Sequence, residues 1–289
     1  MALREFFKLN EPFTEVSSET ALVEHFKISN DLRNVLYRPD TLGPRDPYRL
    51  NNKTFDNVSF SKTKIANVVF RSCVFKDCLF IGTEFISCEF HDCRFEGCNP
   101  HKLTFTSCYI DPNAFGRMLD RQTQANIGLH LFNQLEKNAR SQEQHEFAAS
   151  ASFMYRRWRR YYTWFQYRQG HIKAARFWPK CFLDKTYELI AGYGWRVGRF
   201  AGWSAVLVLT LTCVNFLAWP QLGMTLSSPK GAPEWLTAAY FTIVTITTVG
   251  YGDITPTTAL GLVVASTEAL LGLLWLSTLA SVVFRRIFR

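Results

Sequence analysis

The sequence predicts a two-part membrane protein, with a repetitive β-structured region in its N-terminal half and two membrane-spanning α-helices near its C-terminus. Two observations predict this fold class. Between residues 51 and 115 an apolar ring recurs at nearly every fifth position, a period that neither an α-helix nor a simple strand has. Further along the chain, two segments are long enough and sufficiently free of charge to cross a bilayer.

The repeat consists of two ladders of side chains. Ten of the thirteen positions at this spacing from Phe55 to Phe115 are phenylalanine. Two positions before each of them lies a mostly small side chain, and six of the eight cysteines share this phase. These six are Cys73, Cys78, Cys88, Cys93, Cys98 and Cys108. Self-similarity at a fixed period is typical of a stacked repeat architecture.

This pattern resembles the pentapeptide-repeat family, whose fold is a right-handed quadrilateral β-helix. The resemblance covers roughly residues 51–115, about three coils, and implies that the phenylalanines fill the core with the small ladder beside them. The cysteines are then small buried residues. Zinc sites favour pairs such as C-x-x-C, and disulfides belong to oxidising compartments, so we expect neither here.

Two long segments predict the membrane-spanning helices. Residues 200–219 carry no charged side chain, and residues 257–284 carry only Glu268. Twenty helical residues extend about 30 Å, the thickness of the hydrocarbon core of a bilayer. As the one ionisable residue in these spans, Glu268 is expected to face protein or water and not lipid.

The distribution of charge predicts the orientation in the membrane. Residues 116–199 hold fifteen Lys and Arg against six Asp and Glu, which accounts for the whole net charge of +9. Lys230 is the only basic residue in the loop between the spans, and three arginines follow the second span. The positive-inside rule therefore predicts a multi-pass protein of the inner (plasma) membrane with both termini in the cytoplasm.

No nucleic-acid partner is expected. A basic stretch can bind nucleic acid, but this one lies directly before a membrane helix, which favours contact with membrane lipids. Some pentapeptide-repeat proteins mimic DNA and inhibit topoisomerases through a strongly acidic surface. Residues 51–110 carry seven basic and six acidic side chains, so that function is excluded.

A glycine-rich motif, TITTVGYGDITP at residues 245–256, lies between the two spans. It resembles the selectivity filter of potassium channels of the two-transmembrane type. The resemblance implies that backbone carbonyls replace the water shell of a K⁺ ion, and that glycines adopt the left-handed dihedrals this requires. The implied filter residues, of which the first four bind K⁺ through their carbonyls, are Thr248, Val249, Gly250, Tyr251 and Gly252. Thr247 and Asp253 are the implied supports of the filter.

The segment before this motif, PEWLTAAYFTIVT, predicts a short pore helix with Pro233 in its first turn. The negative C-terminal end of that helix would point at the ion path and favour a cation. Some of the resembled channels carry an acid in this helix at the place of Val244, so the present chain departs from them there. A second GYG, residues 192–194, lacks the threonines before it and the aspartate after it, and we interpret it as a turn.

The second span contains the candidate gate. Gly272 lies twenty residues after Gly252, where the resembled channels often carry a hinge glycine; close helix packing is the alternative role. Steps of four from Gly272 reach Ala280, Phe284 and Phe288, and this stripe is expected to face the cavity and the inner bundle crossing. Phe284 is the candidate gate; an anchor at the lipid interface is its alternative role.

We therefore predict four parts: a cytoplasmic N-terminal segment (1–50), a pentapeptide-repeat β-helix (51–115), a basic helical linker (116–198) and a two-transmembrane pore (199–289). The RRWRRYYTW cluster of the linker, residues 156–164, fits a membrane-surface helix, a solvated face or a contact with the β-helix. No nucleotide-binding motif, regular arginine series or catalytic constellation is visible, so neither an enzyme nor a voltage sensor is predicted.

The expected function is passive, K⁺-selective conduction by a homotetramer in a lipid membrane. No cofactor is expected besides the K⁺ ions in the filter. The β-helix would serve in regulation or assembly, through a ligand or protein partner that the sequence does not identify. The alternative is a membrane-anchored scaffold or binding module with a vestigial or less selective cation pore.

Overall fold

The structure, a computed structural model, describes residues 5–43, 48–116, 118–192, 197–226 and 231–287. The chain divides into two units, residues 1–182 and 183–289. The helices of the first unit are α1 (Glu19–Ile28), α2 (Ala125–Ser141), α3 (His145–Arg168) and the start of α4 (Ala174–Ala191). Its strands are β1 (Thr14–Val16), β2 (Asp31–Tyr37), β3 (Thr41–Leu42), β4 (Tyr48–Asn51), β5 (Thr54–Ser59), β6 (Lys64–Ala66), β7 (Val68–Arg71), β8 (Val74–Lys76), β9 (Glu84–Ile86), β10 (Glu89–His91), β11 (Arg94–Glu96), β12 (Thr104–Thr106) and β13 (Tyr109–Ile110).

These strands form a four-sided β-helix, as the resemblance to the pentapeptide-repeat family implied. Three sides are parallel sheets, with strand orders β1-β2-β5-β8-β11, β3-β6-β9-β12 and β4-β7-β10-β13. The fourth side is a row of parallel bridges that joins Ser59, Leu79 and Asn99. One side has five strands, so the stack is about five turns high: residues 51–115 form about three of them, as expected, and earlier residues add the rest.

The phenylalanine ladder forms the core of the β-helix. Phe55 pairs in register with Phe75, so one turn takes four pentapeptides and brings like side chains above each other. The rings of Phe55, Phe75, Phe95 and Phe115 stack with centroid separations of 4.6, 4.7 and 4.4 Å. Each buried phenylalanine contributes about 1.5–3 kcal/mol through removal from water, which makes this ladder the main source of stability of the unit.

The corners of the β-helix depend on a second periodic feature. Every fifth residue from Asn52 to Ser107 has a positive φ, between 51° and 68°. Asparagine, aspartate, serine, lysine and glycine occupy these positions. A left-handed residue turns the chain sharply, and short polar side chains and glycine adopt this conformation most readily. The polar members of the repeat are therefore as necessary to the fold as the phenylalanines.

The cysteines of the small ladder are buried free thiols. Each donates a hydrogen bond to a backbone carbonyl of the preceding turn; Cys78 Sγ, for example, lies 3.4 Å from the carbonyl oxygen of Phe55. Thr83 makes the same contact with its hydroxyl, 2.7 Å from the carbonyl oxygen of Phe60. The thiols thus act as small core residues that also link one turn to the next.

The β-helix begins before residue 51, inside the segment expected to be separate. Strands β2, β3 and β4 pair with β5, β6 and β7 and form a first turn. Leu32 lies opposite Phe55 and Leu42 opposite Ile65, so more than four pentapeptides separate the members of each pair. Leu32, Tyr37 and Leu42 keep a spacing of five, but because this turn is longer than those after it they are out of phase with the later repeat, and none of them is phenylalanine.

Helices cover both ends of the stack. At the N-terminal end α1 buries Leu22 and Phe26, and the ring of Phe26 packs edge-on against Phe55 at 5.4 Å. At the other end α2 buries Leu131 and Phe132 in the same core. The side-chain amide of Asn138, also on α2, accepts from the Cys108 N–H at 2.9 Å and donates to the Cys108 carbonyl at 2.8 Å. This pairing occupies polar groups that an exposed strand edge would offer to another chain.

The first half of the linker therefore belongs to the β-helix unit. Helices α2 and α3 pack against each other where Gly128 faces Trp158, and a Cβ at Gly128 would collide with the indole ring. Trp158 is buried in the hydrophobic core that the β-helix shares with α2. Of the three interpretations of the RRWRRYYTW cluster, the structure supports contact with the β-helix unit at Trp158.

The second unit contains the rest of α4 and the two apolar helices. Its further elements are α5 (Val197–Leu217), α6 (Trp219–Leu222), β14 (Met224–Leu226), α7 (Glu234–Ile246), β15 (Ile254–Pro256) and α8 (Ala259–Ile287). The stretches Gly198–Leu217 and Ala259–Phe284 are long and apolar enough to cross a membrane. Only 11% and 17% of their residues are buried within the chain, unlike the core helices of a soluble protein. With the predicted charge-free segments, this indicates a membrane protein.

Helix α7 occupies the position predicted for a pore helix, although Pro233 is its N-cap and does not lie in its first turn. At the opposite side of the unit α5 and α8 are joined by the stacked rings of Phe200 and Trp275, 4.8 Å apart. The second GYG lies largely outside the described residues: Gly192 has a φ of 52°, and Tyr193 and Gly194 are not described.

Candidate functional site

The glycine-rich motif forms a loop, residues 247–253, here termed the signature loop, which is fixed at both ends. At its start it continues directly from the C-terminal end of α7. At its end it runs into β15, which pairs antiparallel with β14. Asp253 is further held by the hydroxyl of Tyr240 on α7, which donates to its carboxylate at 2.8 Å. Sequence analysis chose Asp253 as a support and missed Tyr240, its partner.

The N–H groups at the start of the signature loop point back into α7. Thr247 N–H donates to the Ile243 carbonyl at 3.0 Å and Thr248 N–H to the Thr245 carbonyl at 3.1 Å. The N–H groups of Val249 and Gly250 both donate to the carbonyl of Val244, at 3.0 and 3.3 Å. The Thr247 hydroxyl also bonds back to Ile243. Val244, the residue found where some relatives have an acid, thus holds the loop through its backbone.

Four carbonyls of the signature loop, in contrast, accept no hydrogen bond from the described part of the chain. Within the described part of the chain, no hydrogen bond reaches the carbonyl oxygens of Thr248, Val249, Gly250 or Tyr251. All four residues are exposed within one chain, so their carbonyls are open to a partner from outside it. The four residues are those that the sequence motif singled out.

The backbone of the signature loop alternates in handedness. Thr248, Gly250 and Gly252 have positive φ values of 60°, 55° and 76°. The two glycines were expected there; Thr248 was not. A β-branched residue with positive φ is uncommon and strained, and such residues cluster at functional sites because the surrounding structure holds them there. Here the N–H bonds to α7 supply that restraint.

The side chains of the signature loop are not enclosed by their own chain. Val249 is 51% exposed and Tyr251 is 71% exposed. A single chain offers the Tyr251 side chain almost no packing surface. At membrane depth an irregular loop needs protein or a water-filled path around it. The site is therefore incomplete in one copy of the chain.

A buried polar cluster joins α5, α7 and α8 of the second unit. Asn215 of α5 donates from its amide nitrogen to Thr242 of α7 at 2.8 Å and to Glu268 of α8 at 3.1 Å. All three residues are at most 2% exposed. Glu268 thus faces protein, as expected of an ionisable residue in a span. The sequence signal for its partner was an amide in an otherwise apolar helix, and it was overlooked.

Gly272 lies one turn after Glu268, where α8 meets the end of α7. A Cβ at Gly272 would collide with the backbone of Ile246. The structure thus supports close helix packing as a role of this glycine; the hinge remains an expectation. Along the predicted gate stripe, Ala280 and Phe284 are exposed within one chain, and Phe288 lies outside the described residues.

Comparison with known families agrees with both resemblances. Residues 202–289, which contain α6, α7, α8 and most of α5, match the family model described as ion channel. Residues 63–99 match the model of pentapeptide repeats, with eight copies. Neither is a family of enzymes. No curated protein matches the chain.

Proposed function

We propose that this chain, in which an ion channel domain follows pentapeptide repeats, forms a K⁺-selective channel that conducts passively across a membrane. The carbonyls of Thr248, Val249, Gly250 and Tyr251 bind the permeating ion, and Gly252 completes the filter. Thr247 and Asp253 support it through their contacts with α7.

The run of four free carbonyls carries this proposal. An ion that leaves water needs oxygens in place of its hydration shell, and carbonyl dipoles supply them without adding a net charge. The N–H groups of Val249 and Gly250 are engaged by α7, so the peptide units that carry the carbonyls of Thr248 and Val249 are oriented from that side. The C-terminal end of α7 adds the negative end of a helix dipole at the same place, which favours a cation.

Four copies are required to complete the site. One chain supplies one strand of carbonyls, whereas an ion in a filter is surrounded on all sides. A closed ring with fourfold symmetry gives every copy the same interface. It also covers Val249 and Tyr251, which are exposed in a single chain. We therefore propose a homotetramer.

We propose that both termini lie in the cytoplasm, which the basic residues before α5 support, and that the channel lies in the inner (plasma) membrane. The β-helix is then a cytoplasmic domain with a role in assembly or regulation. The stripe that contains Ala280 and Phe284 lines the inner cavity, and a ring of four Phe284 side chains forms the gate. Replacement of Phe284 by alanine is expected to raise resting K⁺ flux and to leave selectivity unchanged.

Flux measurements in liposomes test the proposal. The purified protein is reconstituted, and K⁺ and Na⁺ fluxes are compared under matched gradients, with the subunit number determined by native mass spectrometry in detergent. We expect K⁺ flux to exceed Na⁺ flux strongly and the protein to be tetrameric. A tetramer without cation flux would favour the alternative, a membrane-anchored scaffold with a vestigial pore. Intact selective flux through a monomer or dimer would overturn the assembly.

A further inference from the structure

We propose that Glu268 is a protonated carboxylic acid, paired with the Asn215 side chain through two hydrogen bonds, and that this pair positions the pore helix α7 behind the ion path. The protonation and hydrogen bonding of this pair do not depend on whether the chain forms a channel. Its effect on conduction rests on the proposed function.

The orientation of the Asn215 amide is fixed by its neighbours. The Thr242 hydroxyl donates its only hydrogen to the Ala238 carbonyl at 2.9 Å, so it can only accept from Asn215. The amide nitrogen must therefore face Thr242, with its second hydrogen directed to Oε2 of Glu268 at 3.1 Å. The amide oxygen remains for a donor from elsewhere.

Two buried acceptors of the same pair lack a partner. Asn215 Oδ1 and Glu268 Oε1 are both buried and receive no hydrogen bond in the described part of the chain. An ionised carboxylate has only acceptors, so Glu268 Oε1 and Asn215 Oδ1 would both stay without a donor. One proton on Oε1 supplies the missing donor, and Oδ1 of the residue already in contact is the acceptor that needs it. A single proton thus satisfies both atoms, which otherwise carry a desolvation cost.

The surroundings contain no cation that would stabilise an ionised Glu268. The titratable side chains on the helices packed against it are Arg199 and Cys213 of α5 and Glu234 and Tyr240 of α7. Arg199 is sixteen residues from Asn215, about 24 Å along the helix, and Cys213 is exposed. Tyr240 is bonded to Asp253, and Glu234 is two turns before Thr242. No ion pair involves Glu268 among the residues the structure describes.

The pair acts through α7. Thr242 lies two residues before Val244, whose carbonyl holds the N–H groups of Val249 and Gly250, so a displaced Thr242 would shift the start of the filter. Gly272 contacts the same helix one turn along α8. Glu268 is accordingly a positioning residue, which reaches the ion path only through Asn215 and α7.

Infrared difference spectroscopy tests the protonation state directly. Spectra of the full-length protein and of Glu268→Gln are recorded in the same lipid at neutral pH. The parent is expected to show the carbonyl band of a protonated carboxylic acid that the variant lacks. Replacement of Asn215 by leucine should shift this band, because the acid then loses its partner. Absence of the band, or no shift on Asn215→Leu, would overturn the pair.

Measurements of K⁺ flux distinguish a positioning role of Glu268 from a purely structural one. A glutamine at 268 keeps both bonds, since its amide donates to Asn215 Oδ1 and accepts from Nδ2, so K⁺ flux should stay within about twofold of the parent. Glu268→Leu removes both bonds and is expected to lower flux roughly tenfold. Alkaline pH should reduce parental flux and spare Glu268→Gln. Equal pH profiles in the two proteins would overturn the positioning role.

The two proposals fail in distinguishable ways. An acid band with no K⁺ flux would leave the pair standing and remove the channel function. Selective K⁺ flux with no acid band would do the reverse.

Discussion

The β-helix and the signature loop use the same backbone device, residues held at positive φ, with opposite results. In the β-helix such a residue recurs at every fifth position and turns the chain into a corner. Between corners the strands pair with the turns above and below. In the signature loop the positive φ recurs at every second residue, at Thr248, Gly250 and Gly252, and the carbonyls between them are left free.

The difference shows that spacing, and not the left-handed residue itself, decides what the carbonyls can do. Three or four extended residues between corners give a strand long enough to pair with its neighbour. A single residue between left-handed ones gives no strand, so its carbonyl has no partner in the chain. The β-helix is therefore complete in one copy, whereas the proposed channel requires others.

The largest effect is expected where the carbonyls are free. Replacement of Gly250 by alanine should abolish K⁺ selectivity or conduction in liposomes, because a Cβ at a φ of 55° opposes the loop backbone in every copy. The strain is about 1–2 kcal/mol for each copy.

The matched control is Gly82→Ala, the same substitution at a φ of 68° in a corner of the β-helix. Other corners hold asparagine, serine or lysine, and the added Cβ would only approach the Lys62 side chain at 4.0 Å. Flux and selectivity should not change. Equal behaviour of the two variants would contradict the comparison.

The next effect sharpens the claim that the β-helix is complete in one chain. Phe75 stacks between Phe55 and Phe95, and its replacement by alanine should lower the free energy of unfolding by about 3–5 kcal/mol. Thermal unfolding of the full-length protein, followed by circular dichroism, measures the loss. Lys76→Ala, at the exposed neighbouring position of the same strand, should stay within about 0.5 kcal/mol of the parent.

A third substitution tests the packing of the ion channel domain. Gly272→Ala places a methyl group against the backbone of Ile246, and overpacking of this kind typically costs about 1–3 kcal/mol. We expect reduced K⁺ flux and a lower melting temperature of the assembly. Gly202→Ala on α5 is the control, because its Cβ would meet nothing within 4 Å. An unaffected Gly272→Ala would leave the hinge as the better explanation of this glycine.

The smallest effect concerns the thiols. Cys78→Ala removes the bond to the Phe55 carbonyl and should cost about 1 kcal/mol, whereas Cys78→Ser keeps a donor, as Thr83 does. Burial raises the pKa of the Cys78 thiol well above its ordinary value. The folded chain therefore keeps a proton that the unfolded chain releases above about pH 8.5.

Because the unfolded chain loses this proton and the folded chain keeps it, the free energy of unfolding should fall as the pH rises above about 8.5. The fall should reach up to about 1.4 kcal/mol per pH unit for one thiol. Chemical unfolding at several alkaline pH values measures the slope, and Cys78→Ser should show a shallower one. The same slope in both proteins would contradict the role of burial.

Sequence analysis found the parts of the molecule that repeat or that match a known motif. The phenylalanine ladder could be predicted because it follows one period, and the two apolar spans could be predicted because each has a uniform composition. The first turn escaped because Leu32 and Leu42 stand more than four pentapeptides before their partners, out of phase with the repeat. The Asn215–Thr242–Glu268 cluster escaped for another reason: its members come from three helices, and only tertiary packing brings them together.

The register of four pentapeptides per turn limits how the β-helix can grow. Insertion of one pentapeptide would rotate everything after it, including Cys108 and its partner Asn138 on α2, by one side relative to the first turns. Insertion of four would add a whole turn and return α2 to the same side. Length variants of this protein should therefore differ by whole turns, or by a few extra residues within one turn, as in the first turn, where Leu42 pairs with Ile65. The height of the β-helix can therefore change only in steps of one turn.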